Sequence, residues 1–296
     1  MAELIDGRAI AGIIRGEIEN DIRLLHEQRG AFPGLAVVLV GDNPASKMYV
    51  SAKAKMCEKL GIRSTVETMR AESNEQDLLR FIDRLNQDPS IHGILVQLPL
   101  PPQINSQEVI RRIDPQKDVD GLHPHNVGLL CTGQPHFIPC TPYGICELLI
   151  RSGVAITGRE VVVLGRSNLV GRPLSILLSS KGRYGNATVT VCHSRSANLP
   201  EICRRADTLV VAIGRRKFVT GDMVKPGAVV IDVGSHPPSN ALEKTCGDVD
   251  FESASPVASK ITPVPGGVGP MTIAMLMRNA TDAAARQCGL DLSHAS

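Results

Sequence analysis

The chain has 296 residues, enough for two domains with separate cores, and carries 32 basic and 30 acidic residues for a formal charge of +2. That balance leaves no basic stripe to hold a polyanion, and 3% aromatics without tryptophan argue against ring-stacked sugar or single-stranded nucleic acid sites. No run reaches the ~18 apolar residues of a membrane span, and the acidic start Met1-Ala2-Glu3-Leu4-Ile5-Asp6 lacks a signal-peptide core, so a cytoplasmic protein is expected.

Ile10, Ile14, Ile18, Ile22 and Leu25 recur at helical spacing over residues 8–28, and Gly30 with Pro33-Gly34 ends that helix. Residues 35–40, all apolar, read as a buried strand. After the turn Gly41-Asp42-Asn43-Pro44, a helix runs to about Leu60 and closes at Gly61. A strand at 64–69, a helix at 75–86 and a buried strand at 91–98, stopped by Pro99, complete a parallel α/β unit. Residues 114–140 hold prolines, glycines and three histidines without periodicity, and read as a long ordered loop. Thr141-Pro142 then serves as N-cap and first position of a helix to about Arg151, which Gly153 ends.

The second unit offers valine-rich strands at 161–164, 187–192, 208–213 and 228–233, with helices at 170–180 and within 197–205 and a short turn near 220–224. This is the pattern of a doubly wound sheet. Residues 234–260 are polar and irregular, 263–270 form a rigid turn cluster, and a last helix spans about 271–286. The expected domains are 1–140, completed by a C-terminal helix in 271–296, and 141–270.

Eight cysteines form no CxxC pair, and Cys57, Cys146 and Cys203 sit in apolar helical patterns as reduced core residues. His123, His125 and His136 lack a fourth partner at ligand spacing, so no metal is expected.

The stretch Val161-Val162-Val163-Leu164-Gly165-Arg166-Ser167-Asn168-Leu169-Val170-Gly171 reads as strand, tight turn and helix start, a place to cradle phosphate. The same glycine pair also fits a turn built for packing alone. Arg166 and Ser167 add a guanidinium and a hydroxyl that suit phosphate. The second strand of this unit ends in Ser194 and Arg195 rather than an acidic residue, which favours a ribose 2′-phosphate and hence NADP. Gly214 and Gly234, at two further sheet ends, permit close approach to the rest of a dinucleotide.

Tyr49 and Lys53 share one helix face, four residues apart. In a cleft, a lysine bordered by apolar groups has its charged form disfavoured and is suited to acid–base work. The spacing equally fits a half-buried tyrosine and a lysine that snorkels to water. Gln97 ends a parallel strand, where such sheets bind ligands. Asp118 and Asp120 flank Val119 before Gly121; Asp120 is the better candidate to grip N–H groups of a heterocycle, and the pair also fits Asx turns.

Five motifs in order carry a family resemblance: Tyr49-Val50-Ser51-Ala52-Lys53, Val96-Gln97-Leu98-Pro99-Leu100-Pro101, Lys117-Asp118-Val119-Asp120-Gly121, residues 165–173, and Pro265-Gly266-Gly267-Val268-Gly269-Pro270-Met271-Thr272. Over nearly its whole length the chain resembles the bifunctional methylenetetrahydrofolate dehydrogenase/cyclohydrolase family. The resemblance implies an α/β substrate domain, a Rossmann-like NADP-binding domain and a cleft between them. It implies oxidation of 5,10-methylenetetrahydrofolate with NADP to the methenyl cation, then hydrolysis to 10-formyltetrahydrofolate. Lys53 is then the centre of the hydrolysis, Gln97 its support, Tyr49 packs on the folate and Asp120 holds the pterin. Leu98, Pro99, Pro265, Gly266 and Gly267 complete the substrate side. Gly165, Arg166, Ser167, Val170, Gly171, Ser194, Arg195, Gly214 and Gly234 form the cofactor set. A homodimer through the nucleotide domains is implied as well. Residues 235–246 depart from the family pattern at one rim of the cofactor site. Competing readings are a shikimate-type NADP dehydrogenase and a non-catalytic NADP- or folate-binding protein.

Overall fold

The computed structural model describes residues 1–238 and 244–292. In chain order its elements are β1 (Glu3–Leu4), α1 (Gly7–Arg29), β2 (Gly34–Val40), α2 (Pro44–Leu60), β3 (Arg63–Met69), α3 (Glu75–Gln87), β4 (Gly93–Val96), α4 (Ser106–Arg112), α5 (Pro124–Cys131) and α6 (Cys140–Arg151). There follow β5 (Glu160–Leu164), α7 (Gly171–Ser179), β6 (Thr188–Cys192), α8 (Leu199–Arg204), β7 (Thr208–Val211), β8 (Val229–Asp232), α9 (Phe251–Ala254), β9 (Lys260–Ile261) and α10 (Val268–Gln287). The chain separates into two compact units, Met1–Ile13 with Thr141–Thr272 and Ile14–Cys140 with Ile273–Ser296.

The second of these units holds a parallel three-stranded sheet in the order β3-β2-β4. Its central strand β2 is buried at every position, as an unbroken apolar run with a neighbour on each side requires. Val38, Ile94 and Val96 pack with Leu78 and Ile82 of α3 and Val109 of α4. Each such side chain contributes about 1.5–3 kcal/mol by leaving water. In the same unit Ala280, Ala283 and Ala284 of α10 are fully buried, and the buried Arg278 guanidinium pairs with Glu17 and Asp21 of α1.

The first unit holds a parallel six-stranded sheet, β1-β9-β8-β7-β5-β6. From β5 the chain runs to β6 on one side and then to β7 on the other. The strand order therefore reverses at β5, and the crevice at the carboxyl ends of such strands is where this architecture takes ligands. The core under β5, β7 and β8 includes Val162, Leu164, Leu209, Val211 and Val230, closed by Leu199 and Cys203 of α8.

Several expectations need correction. Met1–Ile13 group with the six-stranded unit rather than with the first domain, because Glu3 and Leu4 pair in parallel with Lys260 and Ile261. Residues 114–140 are not all loop: Pro124–Cys131 form α5, capped by the His123 ring, whose Nδ1 accepts from His125 N at 3.0 Å. The irregular region 234–260 contains α9 and the start of β9. Helix α10 begins at Val268, inside the predicted turn cluster; Pro270 fits its first turn because no N–H is needed there. Of the two segments singled out from sequence, residues 239–243 of 235–246 and residues 293–296 of the C-terminal helix lie outside the described residues.

Candidate active site

Helix α2 carries the Lys53 amine. Asn43 caps it, its side chain accepting from Ala45 N (3.0 Å) and Ser46 N (3.1 Å), and Gly61 ends it in the left-handed conformation at φ 70°. Lys53 lies on the buried face of this helix with Val50, Cys57 and Leu60. Its side chain does not snorkel out: Lys53 is 9% exposed, and its Nζ donates to Gln97 Oε1 at 2.9 Å. Tyr49, one turn earlier, is exposed. Gln97 follows β4 directly, and its N–H extends the ladder to Val38 O at 2.8 Å. Its Nε2 donates to Leu98 O at 2.7 Å, which turns Oε1 toward the lysine. Leu98 is half-buried and Pro99 exposed, joined by a cis peptide bond.

Burial is the largest influence on Lys53 and holds its pKa below the ordinary 10.5, because the ammonium form loses its hydration; Asp120 and Cys140 pull the other way. An amide oxygen is an undemanding partner: unlike a carboxylate, it accepts an N–H without adding a full charge that clamps the ammonium.

Asp120 reaches this amine because residues 117–119 run beside β4. Ile94 N donates to Lys117 O (2.7 Å), and Ile94 pairs in parallel with Asp118. Gly93 makes room for that run, since an added Cβ would lie 2.6 Å from Val119 Cγ1. The neighbours of Asp120 are all structural. Lys117 Nζ caps α3 by donating to Leu85 O, Asn86 O and Asp88 O at 2.8–3.1 Å. Asp118 is buried and accepts from Leu122 N, His123 N and Asn126 Nδ2, and burial pushes its carboxyl up to about 7. Asp118 is thus a turn anchor and Asp120, half-exposed, is the group facing the lysine.

Cys140 also belongs here, and sequence reasoning missed it. Its Sγ donates to Val119 O at 3.4 Å, and burial beside Asp120 raises its thiol well above the ordinary value. Asn279 of α10 donates to Val119 O (2.8 Å) and Ile138 O (2.9 Å), tying those two segments together. A cysteine at the start of a predicted helix gives no signal of its own; its neighbours are set by the fold.

The six-stranded unit supplies the second constellation. Gly165 closes β5 at φ 139°, and an added Cβ would lie 2.2 Å from Ala212 O. At Gly171 it would lie 2.1 Å from Gly165 O. The turn is therefore too tight for any side chain at either glycine. Val170, the N-cap of α7, provides no side-chain cap; Arg172 N donates to Ser167 O at 3.1 Å and Pro173 carries no N–H, so Gly171 N is the donor this helix start can offer a ligand. Val170 N donates to Ser167 Oγ at 3.1 Å, while the side chains of Arg166 and Ser167 stay exposed. After β6, His193 N donates to Ser196 Oγ (3.1 Å) and Arg195 N to His193 Nδ1 (3.2 Å). That compact loop leaves Ser194 and Arg195 exposed. The glycine cradle, the Gly171 N–H at the helix start and the basic, acid-free β6 end fit a dinucleotide with a 2′-phosphate.

The structure brings Lys53, Gln97 and Asp120 together in one unit, and Gly165, Gly171 and the Ala212–Gly214 turn together in the other. Pro265, Gly266 and Gly267 stand in the latter, wrapped against the start of α1: an added Cβ on Gly7 would meet Gly267 O at 1.8 Å.

The chain matches two family models, described as tetrahydrofolate dehydrogenase/cyclohydrolase, catalytic domain, over residues 5–120 and tetrahydrofolate dehydrogenase/cyclohydrolase, NAD(P)-binding domain, over 139–288. It is 54% identical over 293 residues to the bifunctional protein FolD of Dehalococcoides mccartyi, covering 98% of this chain and 99% of that one. A crystal structure of the bifunctional FolD methylenetetrahydrofolate dehydrogenase/cyclohydrolase from Campylobacter jejuni is similar at TM-score 0.91 and 45% identity, over 97% of this chain and 99% of that one. The Trypanosoma brucei methylenetetrahydrofolate dehydrogenase-cyclohydrolase, solved with NADP cofactor and inhibitor, is similar at TM-score 0.91 and 40% identity, over 96% and 98%.

Proposed function

This chain belongs to the tetrahydrofolate dehydrogenase/cyclohydrolase family, and from that premise we infer that Lys53 is the base of its hydrolytic step. The protein is a bifunctional, NADP-dependent enzyme: it oxidises 5,10-methylenetetrahydrofolate to the methenyl cation and hydrolyses that cation to 10-formyltetrahydrofolate. The observation that carries the assignment is the buried Lys53 amine on an amide rather than a carboxylate partner.

When bound, NADP supplies the acceptor for the hydride leaving the methylene carbon. The chain's part in that step is alignment, because the folate nitrogen drives the hydride out. Gly165, Val170 and Gly171 form the pyrophosphate cradle, with Arg166 and Ser167 beside it. Ser194 and Arg195 take the 2′-phosphate, and Gly214 and Gly234 admit the remainder. Tyr49 packs on the pterin system, Asp120 accepts from its N–H groups, and Leu98, Pro99, Pro265, Gly266 and Gly267 complete the substrate contacts.

Hydrolysis needs a proton acceptor. Neutral Lys53 donates one N–H to Gln97 Oε1, which leaves its lone pair for the attacking water. The cationic substrate disfavours a second positive charge and keeps the amine in its base form. The tetrahedral carbon then collapses: its bond to folate N5 breaks, N5 takes the proton that Lys53 accepted from the water, and the hydroxyl proton is released to solvent as the C=O of the 10-formyl product forms.

The same reading includes a cytoplasmic homodimer joined through the six-stranded units. Strand β6 supports it as an edge strand with Val191 exposed, an edge suited to strand or side-chain pairing with a second copy. Buried free cysteines at 57, 140, 146, 192 and 203 suit a reducing compartment. Among the described residues no helix is long and apolar enough to cross a membrane.

The test is an assay that supplies methylenetetrahydrofolate with NADP or NAD and follows reduced cofactor and methenyl decay separately. Lys53→Met lowers methenyl hydrolysis about 10³-fold while NADP still binds. Full hydrolysis in that variant would refute the assignment.

A further inference from the structure

Two buried carboxylates at the carboxyl ends of β7 and β8 are not used by the chemistry above. Asp248 is fully buried, and its Oδ2 accepts from Ile213 N and Gly214 N, both at 2.8 Å. Asp232, the last residue of β8, accepts from Gly234 N and Asp248 N at Oδ1 (2.9 Å each) and from Val249 N at Oδ2 (3.0 Å). The fit is close: an added Cβ on Gly234 would lie 2.5 Å from Asp248 Oδ1, and one on Gly247 would lie 1.8 Å from Asp232 Oδ2. The remaining face of Asp248 is held by His236, whose Nε2 lies 2.7 Å from Oδ1. Its backbone is in turn fixed to Cys246 by bonds of 2.8 and 3.2 Å.

These groups sit behind the two turns assigned above to the cofactor. Because Asp248 takes the Gly214 N–H, that turn presents its other side outward. There the glycine stands at φ 70° with nothing within 4 Å of where a Cβ would be. A carboxylate that accepts from two successive N–H groups fixes the peptide plane between them, and a third donor on its other oxygen stops it rotating. We propose that His236, through Asp248, is a positioning residue of the NADP site, holding the Ile213–Gly214 turn in its binding shape, with Asp232 doing the same for Gly234. The inference rests on the reading of Gly214 and Gly234 as cofactor contacts. His236 falls in the 235–246 segment singled out from the sequence.

The bifunctional enzyme contains its own control, since methenyl hydrolysis requires no NADP. In the full-length protein, His236→Ala raises the NADP Kd, measured by calorimetric titration, about tenfold, the size of one lost bond to a charged group. His236→Gln, whose Nε2 reaches the same place, returns the Kd toward the wild-type value. Hydrolysis without NADP stays at the wild-type rate in both at a temperature where both are folded. An unchanged Kd in His236→Ala overturns the proposal. So does a parallel loss of hydrolysis and NADP binding that glutamine does not rescue, which is the mark of a merely structural contact. Gly165→Ala separates the layers: if it abolishes binding while His236→Ala does not, only the strut falls. If neither variant changes the Kd, the cofactor-site reading falls and the strut with it.

Discussion

The two units solve opposite solvation problems. In the three-stranded unit the group proposed as the base is buried: Lys53 is 9% exposed, Cys140 is 2% exposed, and the groups around them are held by main-chain bonds. In the six-stranded unit the groups assigned to the phosphates, Arg166, Ser167, Ser194 and Arg195, are all exposed, and only the glycines beneath them are buried or tightly contacted. A base must lose hydration to become neutral near physiological pH, whereas a cation that meets phosphate must keep its charge. Protein-side desolvation therefore builds one site, and backbone shape with hydrated side chains builds the other.

Breaking each side of this comparison should leave the other standing. Lys53→Met carries the largest expected effect and removes hydrolysis alone. Gly165→Ala comes next. Its Cβ would lie 2.2 Å from Ala212 O on a backbone at φ 139°, and the relief of that clash opens the cradle. NADP affinity and the dehydrogenase rate at fixed NADP fall about 10²-fold, corresponding to ~3 kcal/mol of strain; methenyl hydrolysis does not change. A dehydrogenase rate that survives this substitution would break the comparison from the nucleotide side.

Gln97→Glu has a smaller effect and sharpens the comparison from the other side. A carboxylate at the same place stabilises the ammonium form and raises the Lys53 pKa that burial has lowered. The rising limb of the hydrolysis rate moves to higher pH, and the rate at neutral pH falls about tenfold for each unit of that displacement. A pH–rate profile that does not move, or moves to lower pH, would remove Gln97 from its assigned part.

Much of this was legible in the chain. The unbroken apolar run of β2, the capped start and glycine stop of α2, and the strand–glycine–helix turn at 161–171 are local signals, and each element formed where those signals stood. Lys53 and Gln97 were legible as candidates because one lies on an apolar helix face and the other ends a parallel strand. What escaped was decided by distant contacts. Strand β1 has two residues and exists only because β9 offers it an edge. Helix α5 starts on a histidine cap, an unusual choice that periodicity does not register. Cys140 and the Asp232–Asp248–His236 cluster acquire their roles from residues 12 to 35 positions away in the chain, so no local pattern announces them.

The central claim is that burial favours the neutral, free-base form of the Lys53 amine. Its direct measure is the titration of the Lys53 side chain in the intact protein, followed by NMR on lysine labelled with ¹³C at Cε. The resonance is assigned by its loss in Lys53→Met, which also separates it from Lys117, another lysine lowered by burial. The account predicts that Lys53 titrates clearly below 10.5, the ordinary lysine value. A Lys53 that titrates at or above that value would show that the ammonium survives in the site, and would contradict the assignment.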